Sequence, residues 1–250
     1  MSIKTILNYS PNFNSKKRNF KQIKFIIFHY TGMKKESEAI NRLTEIQSEV
    51  SCHYLIKNNG EIIKMVPDLY VAWHAGISSW KNISSLNNKS IGIEISNSGH
   101  EFNYKQFSKK QIKSILILSK FLIKKYKINK KNILGHSDIA PSRKKDPGEK
   151  FPWQHFAKQG VGIWHSLSAK LTNKNRMIKV SLLNKKEFYN NIFKIGYAKK
   201  SPKNIKNDKY FIFLVQAFQR RFRQELVNGK IDNECLIISE NLAKNLIKFS

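Results

Sequence analysis

The sequence predicts an α/β protein: a mixed central β-sheet flanked by helices, followed by a small all-α C-terminal domain. Three observations lead there. Strand-like runs alternate with helix-like stretches through the first part of the chain. One pair of strands is joined by a tight turn, which makes that pair antiparallel and the sheet mixed. Beyond residue 177 only helical patterns remain.

The elements follow in order. "IKFIIFHYTG" (23–32) is a β-branched and aromatic run closed by Gly, a buried strand that delivers His29 and Tyr30 at its C-terminal end. "SEAINRLTEIQSEV" spaces Ile40, Leu43, Ile46 and Val50 at helical intervals, with Ser37 as N-cap. "CHYLIKNNGEIIKMV" (52–66) is a hairpin turning at Asn58-Asn59-Gly60, residues that tolerate positive φ. "SIGIEISNSG" (90–99) alternates, with Ile91, Ile93 and Ile95 on one face and Gly92, Glu94 and Ser96 on the other. "FSKKQIKSILILSKFLIKKY" opens on a Ser108/Gln111 capping box and carries an apolar stripe through Ile112, Ile115, Leu116, Leu122 and Ile123. "KNILGH" is a short strand ending at His136. The polar stretch "HSLSAKLTNKNRM" (165–177) marks a domain boundary. Three helices then follow, in "KKEFYNNIFKIGY", "DKYFIFLVQAFQRRFRQ" and "DNECLIISENLAKNLIKF".

Composition narrows the function classes. With 250 residues and 40% apolar content, the chain has the material for a packed core and is not disordered. Its 46 basic against 17 acidic residues give a net charge of +29, which favours polyanionic partners. The lysines are scattered from residue 4 to residue 248, and no zinc-finger or RNP signature accompanies them, so no dedicated nucleic-acid interface is expected. Cys52 and Cys235 fit no metal or redox spacing and read as small buried apolar residues. No apolar run reaches the ~20 residues of a membrane span, and no secretory signal is visible at the N-terminus. As written, the chain reads as soluble and cytoplasmic, unless a signal has been removed.

Chemistry concentrates at strand ends and the loops that follow them. His29, Glu94, His136 and the Lys144–Asp146 stretch stand where a rigid sheet can aim side chains into one cleft. Two imidazoles and a carboxylate make a common three-ligand set for catalytic zinc, with a fourth position left for water. The loop from His136 is bent by Ala140-Pro141 and by Asp146-Pro147-Gly148, which lets its two ends converge on one ion. Taken alone, the same residues also suit hydrogen-bonded core histidines and surface charges. Asp138 is a rival to Asp146 as the carboxylate, or a brace for the loop or a ligand imidazole.

"GHSDIAPSRKKDPG", with "IIFHYTG", "SCHYLI", "AWHAGIS" and "SIGIEI" in this order, resembles the zinc-dependent N-acetylmuramoyl-L-alanine amidases. These form the type-2 amidase family, which also contains the peptidoglycan recognition proteins. "FPWQHFAKQGVGIW" (151–164) and the C-terminal part are similar to the AmiD-like subgroup, so the likeness covers nearly the whole chain. The resemblance implies the amidase/peptidoglycan-recognition fold and one Zn2+ held by His29, His136 and Asp146. It makes Glu94 the general base and Lys144 the residue that stabilises the transition state. Tyr30, Trp73, His74 and Arg143 are expected to bind substrate. Cys52 stands where some relatives have a catalytic Tyr; with Glu94 present, the Glu-using variant of the mechanism is the consistent one. His100, His155 and His165 carry no signal.

The implied organisation is a catalytic domain over 1–168 and a three-helix domain over 178–250. In the latter, "FLVQAFQRRFRQELVNGKIDNE" resembles a peptidoglycan-binding module, with Phe213, Val215 and Phe218 on its apolar face. The expected partner is peptidoglycan or a muropeptide, with no nucleic acid and no membrane span, and the chain is expected to act as a monomer. The resemblance also points to a periplasmic or outer-membrane-associated location. Two rivals remain: a non-catalytic peptidoglycan-recognition protein, which loss of a zinc ligand would favour, and a basic nucleic-acid binder, which would need an interface motif.

Overall fold

The structure is a computed structural model that describes residues 3–197 and 209–246. Its centre is a six-stranded sheet built from β1 (Ile6–Leu7), β3 (Phe25–Tyr30), β4 (Tyr54–Ile56), β5 (Ile62–Lys64), β9 (Ser90–Ile95) and β10 (Ile133–Gly135). The strand order is β1-β5-β4-β9-β3-β10. The β4–β5 hairpin is the antiparallel pair, and every other neighbouring pair is parallel, so the sheet is mixed. Two small ribbons lie outside it, β2 (Phe13–Asn14) with β6 (Val71–Ala72) and β7 (Ser79–Trp80) with β8 (Ile83–Ser84).

Side-chain alternation assigns the two faces of the sheet. Ile26 and Phe28 of β3, with Ile91, Ile93 and Ile95 of β9, pack against α2 (Lys109–Tyr126) through Ile115, Leu118 and Leu122. The Ser108/Gln111 capping box that opens α2 is present as expected. Its most buried face is rotated from the predicted stripe: Leu118 and Tyr126 are buried, whereas Ile112, Leu116 and Ile123 are only partly covered. Trp153 and Phe156 of α4 (Trp153–Lys158) complete this layer.

Phe25, Ile27 and Leu134 face the opposite way, onto α3 (His136–Ile139) and the C-terminal helices α6 (Leu182–Ile195), α7 (Lys209–Phe222) and α8 (Asn233–Lys244). One apolar cluster therefore runs from the sheet through Ile139 to Phe188, Phe218 and Leu242 without a break. Each of these large side chains contributes about 1.5–3 kcal/mol on burial. Asp208 and residues 247–249 of the predicted C-terminal helices lie outside the described residues.

Several local expectations are corrected. α1 (Glu36–Thr44) starts one residue before Ser37, with Lys35 at the N-cap position, because Glu38 accepts from the Lys35 backbone N–H at 3.3 Å. The helix ends at Thr44, as Glu45 turns extended, and Ile46 is left 62% exposed in a 3-10 turn instead of joining the stripe. His136 does not end a strand; it opens α3, since Asp138 reaches back to the Gly135 N–H at 2.8 Å and winds the chain into a turn. The polar 165–177 stretch, read as a domain boundary, contains α5 (Ala169–Asn175), capped by Ser168. Phe213 is exposed, and Phe211, Leu214, Val215 and Phe218 form the buried face of α7.

Candidate metal centre and active site

Strand register puts the chemistry together. Glu94 on β9 is the register partner of His29 on β3, and Gly135 on β10 is that of Phe28, so His136 follows on beside His29. All three leave the C-terminal ends of parallel strands. Asp146 comes back from the loop, its backbone carbonyl accepting from the Ser137 N–H at 2.8 Å. His29, His136 and Asp146 are 1%, 3% and 6% exposed.

Three atoms then converge. His29 Nδ1 lies 2.9 Å from His136 Nδ1, and each lies 3.0 Å from Asp146 Oδ2. The other ring nitrogens reveal where the protons are. His136 Nε2 sits 3.1 Å from the Ala75 carbonyl, which can only accept, so in the neutral ring the proton is on Nε2 and Nδ1 offers a lone pair. A longer chain fixes His29. Ser90 Oγ donates to the Leu86 carbonyl at 2.7 Å, so it accepts from His74 Nε2 at 3.0 Å; His74 Nδ1 then accepts from His29 Nε2 at 2.9 Å. In neutral His29 this leaves Nδ1 unprotonated. Burial, and after it the neighbouring His136, lowers the His29 pKa to about 4, and burial drives His74 well below its ordinary value, so both rings are neutral.

Two imidazole lone pairs and one carboxylate oxygen thus face a common point with no proton between them. Such an arrangement is repulsive unless a cation completes it, and the nitrogen–nitrogen–oxygen donor set suits a divalent metal such as zinc. The outer partners of both histidines are of the kind that fix ligand tautomers.

Glu94 completes the picture. Its Oε2 is shut away from solvent and has no hydrogen-bond partner. Burial first, then the charge of Asp146, raises its pKa to about 8, with Lys144 acting in the opposite direction. A carboxyl so placed, beside the converging donor atoms, is equipped to exchange a proton with a neighbouring water.

A cleft of about 660 Å³ opens over the cluster, lined by Tyr30, Trp73, His74, Glu94, Arg143 and Lys144 as well as the three converging residues. Their attachments differ. Arg143 is tied down, donating to the Ala75 and Ile77 carbonyls at 2.8 and 2.9 Å. Trp73 Nε1 donates to Asn14 Oδ1 at 2.7 Å. His74 has both ring nitrogens engaged, on His29 and Ser90, so it braces a neighbour while lining the wall. Its ring occupies the space where a Cβ on Gly92 would be, which explains the glycine in the middle of β9.

Sequence reasoning missed His100. It lines the cleft, its Nδ1 lies 2.8 Å from the Tyr30 hydroxyl, and its Nε2 lies 3.0 Å from Glu149. It sits in an irregular loop, where no periodic signal could have marked it. Asp138 is not a member of the converging set; it binds Gly135, Tyr197 and Arg221. His53 is buried elsewhere, between Arg18, the Tyr70 carbonyl and the Gly92 N–H.

Comparison with known proteins identifies the family. Residues 19–149 match the N-acetylmuramoyl-L-alanine amidase family. The chain is 35% identical to the N-acetylmuramoyl-L-alanine amidase AmiD of Escherichia coli K12 over 238 residues, covering 89% of this chain and 83% of that protein. It is 33% identical to the 1,6-anhydro-N-acetylmuramyl-L-alanine amidase AmpD of Haemophilus influenzae, covering 59% of this chain and 87% of the relative. Among solved structures, the complex of E. coli AmiD with anhydro-N-acetylmuramic acid-L-Ala-D-gamma-Glu-L-Lys superposes with a TM-score of 0.79 at 33% identity, covering 93% of each chain.

Proposed function

The chain belongs to the N-acetylmuramoyl-L-alanine amidase family, and from that premise we propose that it hydrolyses the amide between the lactyl group of N-acetylmuramic acid and L-alanine, using one zinc ion. The substrate is peptidoglycan or a muropeptide derived from it, as for the relatives that AmiD and AmpD represent. The observation that carries the reading is the meeting of three proton-free donor atoms at one point.

His29 and His136 would hold the zinc through Nδ1 and Asp146 through Oδ2. Zinc there supplies Lewis acidity, lowering the pKa of a water to about 7 and polarising a carbonyl. Glu94 takes the proton of the attacking water and returns it to the departing alanine nitrogen. The half-buried Lys144 lines the same cleft and sets a positive charge against the oxygen that becomes negative as the carbonyl turns tetrahedral, help worth roughly 3 kcal/mol. His74 and the Ala75 carbonyl keep the two ligand imidazoles in the tautomer that exposes Nδ1. Tyr30, Trp73 and Arg143 form the walls that receive the glycan and stem peptide.

The non-catalytic recognition reading is weaker, because it leaves Glu94, whose Oε2 is shut from solvent with no hydrogen-bond partner, without a purpose. No helix among the described residues is long and apolar enough to cross a membrane. A periplasmic or outer-membrane-associated enzyme, acting as a monomer, fits the family resemblance. We also take residues 1–168 as the catalytic part and 178–250 as a helical part with a peptidoglycan-binding-like pattern.

The test is cleavage of a purified muropeptide by the metal-replete protein, by the chelated protein and after zinc is restored. Release of a peptide beginning with L-alanine should vanish with chelator and return with zinc. A metal-replete protein that releases none is not an amidase.

A further inference from the structure

We propose that Arg221, on the C-terminal helix α7, is a positioning residue for the metal centre, clamping the segment that carries His136 and Asp146. The inference rests on the zinc reading above and extends it: the C-terminal helices set the geometry of ligands that they do not themselves supply.

Arg221 is 2% exposed, deep beneath the sheet. Its Nη1 donates to Asp138 Oδ2 at 2.6 Å, and its Nη2 donates to the Ile133 carbonyl at 2.8 Å. Its guanidinium lies over the Trp153 ring, 4.5 Å from the centroid. Asp138 is itself 2% exposed, and its Oδ2 also accepts from the Gly135 N–H at 2.8 Å, while its Oδ1 accepts from the Tyr197 hydroxyl. The carboxylate therefore ties the residue just before His136 to the turn just after it. The far end of the segment is held to the same turn, because the Ser137 N–H donates to the Asp146 carbonyl at 2.8 Å. A Cβ placed on Gly135 would lie 3.2 Å from Trp153 Cζ2 and 2.7 Å from Cδ of Pro147, the residue that follows Asp146. Arg221 thus anchors, through Asp138 and the Ile133 carbonyl, the turn to which both His136 and the backbone of Asp146 are attached.

Energetics favour a positional role over a stabilising one. Burying an ion pair forfeits several kcal/mol of hydration per ion, and apolar residues of similar volume often stabilise a core as well or better. What the pair adds is direction: two donors in a planar fork, one to Asp138 of α3 and one to the Ile133 carbonyl of β10. Arg223 provides the contrast. It is equally buried, at 1%, but its partners are Asp232 at 2.8 Å and Glu234 at 3.9 Å, both within the C-terminal part and neither near the ligand segment.

The experiment compares full-length Arg221→Met, Arg223→Met, Tyr197→Phe and His136→Ala with wild type. Zinc affinity is read by competition with a chromophoric chelator, ligand geometry by the absorption spectrum of the cobalt-substituted protein, and folding by thermal melting. Arg221→Met should lose about ten- to a hundredfold in zinc affinity and shift the cobalt spectrum. Arg223→Met should melt earlier yet bind zinc as wild type does. If Arg221→Met does not fold, Tyr197→Phe, which removes one hydrogen bond from Asp138, should show a smaller loss of the same kind. The clamp is overturned if folded Arg221→Met keeps wild-type affinity and spectrum while His136→Ala loses zinc, or if Arg223→Met loses as much zinc as Arg221→Met. Wild type that takes up no zinc sinks the metal reading itself, and the clamp with it.

Discussion

Asp146 and Asp68 are carboxylates of nearly equal burial, 6% and 4% exposed, and they differ in which side of each contact holds the proton. Around Asp68 every partner is a donor: the Tyr54 hydroxyl at 2.6 Å, the Tyr126 hydroxyl at 2.6 Å and the Lys125 ammonium at 2.8 Å. Around Asp146 the partners are two imidazole nitrogens whose protons have been drawn away to Ala75 and His74. The first is a closed account of charge and hydrogen bonds, and it holds the hairpin against α2. The second is short of positive charge. Burial alone does not separate structure from function here; the direction of each hydrogen bond does.

The comparison breaks most visibly at Asp146. In Asp146→Ala, zinc content by elemental analysis and amide cleavage should both fall to background, while the circular dichroism of the fold is retained. Full zinc in that variant would show that the ligands are misassigned. Next in size is Glu94→Gln, which keeps the shape and removes the ionisable oxygen. Its turnover should drop by about 10²–10⁴ with zinc still bound, since proton transfer is lost and the three donors are not. A near wild-type kcat would take Glu94 out of the mechanism.

Asp68→Asn should do the reverse of both, losing about 1–3 kcal/mol of stability in urea while kcat and zinc content stay put. Stability unchanged and metal lost would invert the comparison. The smallest effect is in pH. Burial raises the Asp68 carboxyl, but Lys125, Tyr126 and Tyr54 outweigh it and bring the pKa down from 3.8 to about 2. A depressed carboxyl stabilises the fold at pH values above its unfolded pKa and loses that contribution as pH falls through the folded one. The stability gap between wild type and Asp68→Asn should therefore shrink by roughly 2 kcal/mol as pH drops from about 5 to about 2. A gap constant over that window would mean that the charge of Asp68 contributes nothing.

Much of this was legible in the residues. The alternation of Ile91, Ile93 and Ile95 assigns Glu94 to the face opposite α2, and Ser108 with Gln111 announces the start of that helix. The bends at Pro141 and Pro147 allowed the ends of the His136–Asp146 loop to meet, and they do. Illegible were β1 and β2, at two residues each too short for any periodicity, and α5, whose polar composition hid a helix packed beside α8. The role of His74 could not be read either, because Ser90 and Leu86 fix its protonation only after the chain has folded.

The sequence by itself determined the strand and helix faces, the donor types and the loop that brings two of them together, because side-chain periodicity and turn chemistry act over a few neighbouring residues. Only the tertiary structure decided which ring nitrogens carry protons, and that Arg221 from the C-terminal helices anchors the ligand segment. Those outcomes depend on carbonyls and carboxylates brought in from distant parts of the chain. A hydrogen bond has no direction until both of its ends are in place.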